Sequence, residues 1–127
     1  MAERSQVSSG SPWEEAVGYS RAVRVGNQIE VAGTTATAGG QVVGEGDAYA
    51  QTMRALSIIG EALTELGADK SHVVRTRLFV TDMARWPEIG RAHREFFGAT
   101  RPVTTMVQVS ALIDARLLVE IEATAIA

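Results

Sequence analysis

The sequence predicts an α+β protein in which a mixed β-sheet packs two helices against one of its faces. Two segments repeat apolar residues at helical spacing, and several short segments alternate apolar and polar residues as strands do. Their order is β-β-(β)-α-β-α-β-β, and helices on one face would cover the apolar positions of the strands. The 127 residues suit a single domain spanning 1–127 with its own core.

The first two predicted strands form a hairpin. Rough alternation covers residues 19–25 and 28–33, and Gly26 and Asn27 lie between them. Both residues tolerate the positive φ that a two-residue hairpin turn requires. A loop rich in Thr, Ala and Gly then leads to a brief third strand at 41–43.

Apolar spacing and capping residues predict the two helices. Asp47 has the residue type of an N-cap, and Gly67 stands where a helix commonly ends. Between them, apolar residues recur three or four positions apart: Met53, Leu56, Ile59, Leu63 and Leu66. Pro87 suits the first turn of a second helix, which is predicted to end at Phe97 with Gly98 as its stop.

Three further strands are predicted at 73–81, 103–109 and 117–126, where β-branched residues alternate with others. Alternation places every second residue of a strand on the same face. Facing the helices we expect Val74, Thr76, Leu78 and Val80; Val103, Thr105, Val107 and Val109; Leu117, Val119, Ile121, Ala123 and Ala125. On the opposite face we expect Arg75, Arg77 and Phe79; Thr104, Met106 and Gln108; Leu118, Glu120, Glu122, Thr124 and Ile126.

The opposite face mixes acids, arginines and large apolar side chains. A solvated sheet face rarely carries groups such as Phe79, Met106 and Leu118 together. A subunit interface, in which charges pair and apolar groups meet across a symmetry axis, accounts for the mixture. The pattern favours the interface and leaves the solvated face as the alternative.

Composition argues against several kinds of function. The chain has no cysteine, so disulfides, thiolate catalysis and thiol metal sites are excluded and a cytoplasmic location is expected. His72 and His93 lack metal-ligand spacing, so no metal is expected. The net charge of −3, with scattered basic residues, disfavours nucleic acid as a partner. The chain also lacks a run of about 18 apolar residues that would cross a membrane.

Residues 1–12 are small and polar. They lack the apolar core of a signal peptide, which agrees with a cytoplasmic location. Because they offer few groups to bury, the segment at about 1–12 is expected to be flexible.

Five stretches of the chain together resemble the reactive-intermediate deaminase family, also called RidA or YjgF. They are 18–27 (GYSRAVRVGN, similar to GPYSQAVRVGN), 32–33 (AG, similar to the VSGQ turn), 69–82 (DKSHVVRTRLFVTD), 96–102 (similar to FFG…RP) and 118–125 (LVEIEATA, similar to VEIEAIA). No single stretch is specific for this family. The five stretches in the same order, from about residue 17 to the C-terminus, are together specific for it.

The resemblance implies a fold like that of the small trimeric chorismate mutases, with subunits packed sheet to sheet and ligand clefts between neighbours. It also implies hydrolysis of 2-imino or 2-enamino acids to 2-keto acids and ammonia, without a cofactor. The expected partners are a small-molecule metabolite and two further copies of the chain in a homotrimer. By this resemblance Glu120 is catalytic and helps to place the attacking water; the alternative is that it forms a salt bridge at a subunit interface. The candidate substrate-binding residues are Tyr19, Arg21, Gly33, Thr34, His93 and Thr104.

One position departs from the family's pattern. In the family, an RPxR stretch ends in an arginine that grips the substrate carboxylate, and here it reads Arg101-Pro102-Val103-Thr104. Arg101 lies on the other side of the strand from Thr104, so it does not replace that arginine. Losing a bidentate pair weakens carboxylate binding by roughly ten- to a hundredfold. The standard 2-imino acid is therefore not the expected substrate.

Three explanations stay open for the missing arginine. The cleft binds a different, uncharged or larger, substrate; or Arg21 or Arg77 of a neighbouring subunit supplies the charge; or the protein binds ligands without turnover. We favour the first. The prediction is thus a RidA-like hydrolase or deaminase acting on a small imine, enamine or related C–N compound, with a non-catalytic small-molecule-binding trimer as the alternative.

Several side chains have two interpretations each. Trp86, Ile89, His93 and Phe96 share one helix face, so His93 points inward, either as a core residue or as a general acid or base. Trp13 is either a lid over the cleft or an anchor for the N-terminal segment.

Overall fold

The computed structural model describes residues 3–127 and contains a mixed sheet with two long helices on one side. The strands are β1 (Arg4–Val7), β2 (Ala22–Val25), β3 (Gln28–Thr34), β4 (Thr37–Ala38), β5 (Gln41–Val42), β6 (Val73–Val80), β7 (Val103–Gln108) and β8 (Val119–Ile126). The α-helices are α1 (Pro12–Val17), α2 (Ala48–Glu65) and α3 (Trp86–Phe97). Six strands form the main sheet in the order β1-β2-β3-β8-β6-β7, with β6 parallel to β7, and β4 pairs with β5. The predicted α+β class is confirmed.

The predicted hairpin and both long helices are present, with the predicted caps. Gly26 and Asn27 connect β2 to β3. At the start of α2 the Asp47 carboxylate accepts a hydrogen bond of 2.9 Å from a backbone N–H of the first turn. Gly67, with φ of +80°, follows the end of α2, and Gly98 ends α3. Local sequence signals were therefore sufficient for these elements.

The core lies between α2, α3 and the central strands. Three fully buried side chains of α2, which are Leu56, Ile59 and Leu63, belong to one cluster with Ile29 of β3, Leu78 of β6 and Ile121 of β8. Fully burying a side chain of this size contributes about 1.5–3 kcal/mol. The cluster therefore fixes which face of each central strand turns toward the helices.

The prediction for β7 was wrong about its faces. Thr104 pairs in register with Thr76, and Met106 pairs with Leu78, so Thr104, Met106 and Gln108 lie on the helix side. The residues between them, Val103, Thr105 and Val107, lie on the opposite side. Alternation shows which residues share a face, and apolar content was used to choose the face. That choice failed because β7 is an edge strand with five of its six residues exposed.

Two other positions also differ from the prediction. Val74 was expected to face the helices but is 45% exposed, because the ladder between β6 and β8 shifts register between Val73 and Arg75. Trp86 was expected to point inward with Ile89, yet it is 58% exposed at the first position of α3.

The segment at about 1–12, predicted to be flexible, begins outside the described residues, which start at residue 3. Residues 4–7 form β1, which pairs antiparallel with β2 and buries Val7. Ser11 caps α1, whose first residue is Pro12. Polar residues can form an edge strand because the backbone supplies the pairing. The flexibility of the segment stays a prediction.

Candidate active site

The face of the sheet turned away from α2 and α3, called the open face below, carries Glu120. Its residues lie in register across four strands: Glu30; Glu120, Glu122 and Thr124; Arg75, Arg77 and Phe79; Val103, Thr105 and Val107. Arg77 and Glu122 lie opposite each other, and their charged atoms are 3.4 Å apart. The predicted mixture of acids and arginines is therefore present on this face.

An open depression of about 760 Å³ borders the open face. Tyr19, Glu30, Arg77 and Glu122 are among its lining residues. Glu120 is not among them, so the depression and the candidate catalytic carboxylate are neighbouring features rather than one cavity within a single copy of the chain.

Glu120 is half-buried and lies against the backbone of β3. A Cβ at position 33 would be 2.5 Å from Glu120 Oε2, so glycine is the residue that lets the strand approach this closely. The ladder between β3 and β8 shifts register between Val31 and Thr34, which is where Gly33 sits. Burial raises the pKa of Glu120 above its ordinary value of 4.5; the Arg21 charge opposes that rise, and the Glu122 charge adds to it.

Arg21 joins three of the other predicted site residues. Its Nη1 donates to Gly33 O at 2.8 Å and to Thr34 Oγ1 at 2.7 Å, and its Nη2 donates to the Tyr19 hydroxyl at 3.5 Å. Arg21 and Thr34 are both buried. The structure therefore brings Tyr19, Arg21, Gly33 and Thr34 together beside Glu120, with Arg21 as the connecting side chain.

Glu14 is a site-supporting residue that the sequence analysis missed. Its carboxylate is 5% exposed, accepts hydrogen bonds from Ser8 Oγ at 3.0 Å, Ser9 N at 3.1 Å and Ser9 Oγ, and lies 3.6 Å from Arg21 Nε. Burial raises the pKa of Glu14, but the hydrogen bonds from Ser9 and Ser8 and the Arg21 charge outweigh it and hold that pKa below 4.5. Trp13, its neighbour in α1, is 49% exposed.

A second polar group lies on the helix side of the sheet. The buried Thr76 hydroxyl donates to Thr104 Oγ1 at 2.6 Å and lies 2.8 Å from His93 Nε2. His93 is half-buried, as predicted from its helix face, and its ring lies 4.7 Å from that of Phe97. Burial lowers the pKa of His93 below its ordinary value of 6.5. Thr104 is exposed, so this group reaches the surface.

The predicted site residues thus form two groups on opposite faces. Glu120 pairs in register with Phe79 on the open face, whereas Thr104 pairs with Thr76 on the helix side. One copy of the chain cannot present Glu120 and Thr104 to the same small ligand.

Among residues 3–127, no three His, Asp or Glu side chains gather as they would to hold a metal ion. The helices of that same stretch are all too short or too polar to cross a membrane.

Comparison with known proteins gives the family. The family model described as Endoribonuclease L-PSP matches residues 11–127. The uncharacterized Streptomyces coelicolor protein SCO2049 is 46% identical over 117 residues, which cover 92% of this chain and 87% of that protein. The mouse 2-iminobutanoate/2-iminopropanoate deaminase is 32% identical over 110 residues, which cover 85% of this chain and 80% of the mouse protein.

A solved structure agrees with these sequence matches. The crystal structure of Rv2704 from Mycobacterium tuberculosis, described as a member of the YjgF/YER057c/UK114 family, is 54% identical and superposes with a TM-score of 0.91. The superposition covers 98% of this chain and 100% of that one. The chain therefore belongs to the Endoribonuclease L-PSP family, which is the YjgF or RidA family that the sequence resembles.

Proposed function

We propose that this protein is a RidA-like deaminase that hydrolyses a small imine, enamine or related C–N metabolite, with Glu120 as its catalytic residue. The observation that carries the proposal is the Glu120 carboxylate, half-buried on the open face and positioned by Gly33. A relative that covers 85% of this chain is named a 2-iminobutanoate/2-iminopropanoate deaminase. No cofactor is required for such a reaction.

The chemistry needs little beyond a fixed pose, an oriented water and a path for protons, because an imine carbon is already electrophilic. The water oxygen adds to the imine carbon while Glu120 accepts one water proton. The nitrogen then takes up a proton, and the C–N bond breaks to leave a carbonyl compound and ammonia. The sum is one imine and one water giving one carbonyl and one ammonia. The raised pKa of Glu120 suits a group that first accepts and then returns a proton.

The substrate we propose is not a standard 2-imino acid. Thr104 occupies the position of the arginine that the family's pattern uses to grip a carboxylate. Arg21 is buried and bonded to Gly33 and Thr34, and Arg77 is paired with Glu122. Both arginines therefore already have partners within one copy of the chain.

We place the reaction in a cleft between copies of a cytoplasmic homotrimer, each copy a single domain. Two observations support this arrangement: the open face carries exposed Val103 and Val107 beside its charges, and Glu120 and Thr104 point to opposite faces. A ligand in contact with both must touch two copies. A solution mass equal to one subunit at micromolar concentration would contradict this arrangement.

The test is an ammonia-release assay on a panel of enzymatically generated imines. The wild type should accelerate release over buffer for at least one of them. Glu120→Gln, which keeps the shape and removes the base, should abolish the acceleration, whereas Glu122→Gln on the same face should retain most of it. Acceleration that survives Glu120→Gln, or none for any imine, would overturn the proposal.

Experiments on the same protein samples distinguish two other functions from deamination. Thermal stabilisation by a metabolite, with no ammonia released from it, would identify a non-catalytic binding protein. Cleavage of RNA, which the family's description names, is disfavoured by the net charge of −3 and by the pairing of Arg77, Arg85, Arg91 and Arg116 with acids.

A further inference from the structure

The hydrogen-bonded set Thr104, Thr76 and His93 runs from the surface of an edge strand to a helix side chain. Thr76 is fully buried in the sheet, where valine would fill the same space without a polar atom. Its hydroxyl touches both Thr104 Oγ1, at 2.6 Å, and His93 Nε2, at 2.8 Å. The three groups therefore act as one unit, and Thr104 is its exposed end.

The set has no charge of its own to offer a ligand. In the described part of the chain, neither an ion pair nor a side-chain hydrogen bond joins a charged residue to Thr104, Thr76 or His93. Burial lowers the pKa of His93, which keeps its ring neutral at neutral pH. The two arginines that flank Thr76 along β6, Arg75 and Arg77, pair in register with Val103 and Thr105 and so lie on the open face.

The tautomer of His93 decides what Thr104 presents. When Nε2 carries the proton, it donates to Thr76, Thr76 donates to Thr104, and the Thr104 hydroxyl is free to donate outward. When Nδ1 carries the proton, Nε2 accepts from Thr76, Thr76 accepts from Thr104, and Thr104 offers only lone pairs. Either way Thr104 makes one neutral hydrogen bond, which suits an uncharged group and gives a carboxylate no counter-charge.

We propose that Thr104, supported by Thr76 and His93, is the binding point for an uncharged oxygen-bearing end of the ligand, such as a carboxamide, ester or hydroxyl. Thr104 then acts as the specificity-determining residue, and Thr76 and His93 are the positioning residues behind it. This inference rests on the cleft of the proposed function and specifies its substrate class: imines or enamines whose far end is neutral.

The test compares pyruvamide with pyruvate, which share one carbon skeleton and differ in charge. Binding of each to the wild type is measured by NMR titration. Pyruvamide should bind more tightly, and Thr104→Val should weaken it by about two- to twelvefold, the worth of one hydrogen bond. Thr64→Val is the matched control, because it makes the same change at an exposed position of α2 away from the set, and it should leave pyruvamide binding unaltered. Thr104→Arg should reverse the preference in favour of pyruvate.

A second readout follows the imidazole itself. The ¹⁵N shifts of His93 report its tautomer and should change when pyruvamide is added to the wild type but not to Thr104→Val. His72, whose Nδ1 accepts from Asp69 N in an exposed turn, is the internal reference. Thr104 is an exposed strand residue and valine has the same shape, so Thr104→Val should fold. Thermal unfolding of the variant checks this.

Several results would overturn the inference: tighter binding of pyruvate, no binding of either compound, equal effects of Thr104→Val and Thr64→Val, or His93 shifts that do not respond. The proposed function is judged separately by ammonia release. Glu120-dependent release from an imino acid without a preference for pyruvamide would remove this inference alone. A preference for pyruvamide without any ammonia release would remove the proposed deaminase alone.

Discussion

The Glu120 carboxylate fills the space in which any residue other than glycine at position 33 would place its Cβ. That Cβ would lie 2.5 Å from Glu120 Oε2 and 3.0 Å from its Cδ, which is closer than such atoms approach without displacement. Gly33 therefore determines where the carboxylate of β8 rests on β3.

Gly33→Ala should displace Glu120 and reduce ammonia release by roughly a hundredfold, the order of effect that a misplacement of about 1 Å produces. The same methyl group added by Gly90→Ala in α3 would meet its nearest neighbour at 3.8 Å, an ordinary contact, and should leave the rate unchanged. Steady-state kinetics of both variants provide the comparison. A wild-type rate for Gly33→Ala would show that the position of the carboxylate does not matter.

The acid side of the pH–rate profile should report Glu120. Burial raises the pKa of Glu120 above 4.5. As the pH is lowered, the base should therefore become protonated, and the rate should fall, at a higher pH than for an ordinary glutamate. Because Glu122 adds to the rise, Glu122→Gln should move the fall to lower pH. Over the same range the stability of the fold changes in the opposite direction to the rate. The folded state holds the Glu120 proton more tightly than the unfolded state does, so the unfolding free energy decreases as pH rises from 4.5 through the raised pKa. A profile that Glu122→Gln leaves in place would count against the assignment.

Glu14→Gln should destabilise the fold, because Ser8, Ser9 and Arg21 lose the anion that they surround. We expect a decrease of about 1–3 kcal/mol in the unfolding free energy at pH 7. The folded pKa of Glu14 is lowered, so its contribution is complete above 4.5 and is lost as pH falls through the folded pKa. The variant should therefore lose less stability than the wild type on acidification.

Urea unfolding at pH 7 and at acid pH measures both effects of Glu14→Gln. The exposed neighbour Glu15 provides the control, and Glu15→Gln should change stability by no more than about 0.5 kcal/mol. Equal effects of the two substitutions would show that the buried network contributes nothing.

Gln51→Leu should destabilise the start of β8. The buried amide of Gln51 accepts from Leu118 N at 2.7 Å and donates to Arg116 O at 2.9 Å, so leucine would leave two backbone groups without partners. The expected cost is about 1–3 kcal/mol for each group left unsatisfied. Gln41→Leu, at an exposed position of β5, is the control. Thermal unfolding compares them, and equal melting temperatures for the two variants would contradict the prediction.

Local patterns were sufficient to predict much of the fold. The apolar spacing behind Asp47 identified α2 because capping and one-sided burial are recorded within a single stretch of sequence. Alternation did not predict which side of β7 turns toward the helices. That orientation is set by pairing with β6, and the residues of β7 alone do not indicate it. An edge strand exposes both sides, so its valines carry no information about which side is inward.

The candidate site was only partly predictable. The resemblance selected Tyr19, Arg21, Gly33 and Glu120, and the structure brings these together. The role of Glu14 was not predictable, because an acid in the first turn of a short helix is normally a solvated residue. Its partners Ser8 and Ser9 directly follow β1, a strand that composition did not indicate. The proximity of Thr104 to His93 was not predictable from the sequence either, because the two residues are joined through Thr76 of β6.

The residues that follow the first strand are linked to Glu120 through two intermediate side chains. Ser9 holds Glu14, Glu14 lies beside Arg21, and the charge of Arg21 acts on Glu120. A change that displaces Ser9 should therefore reach the acidity of a carboxyl group that it never touches. Ammonia release from samples with and without an N-terminal fusion should accordingly be measured separately and not pooled.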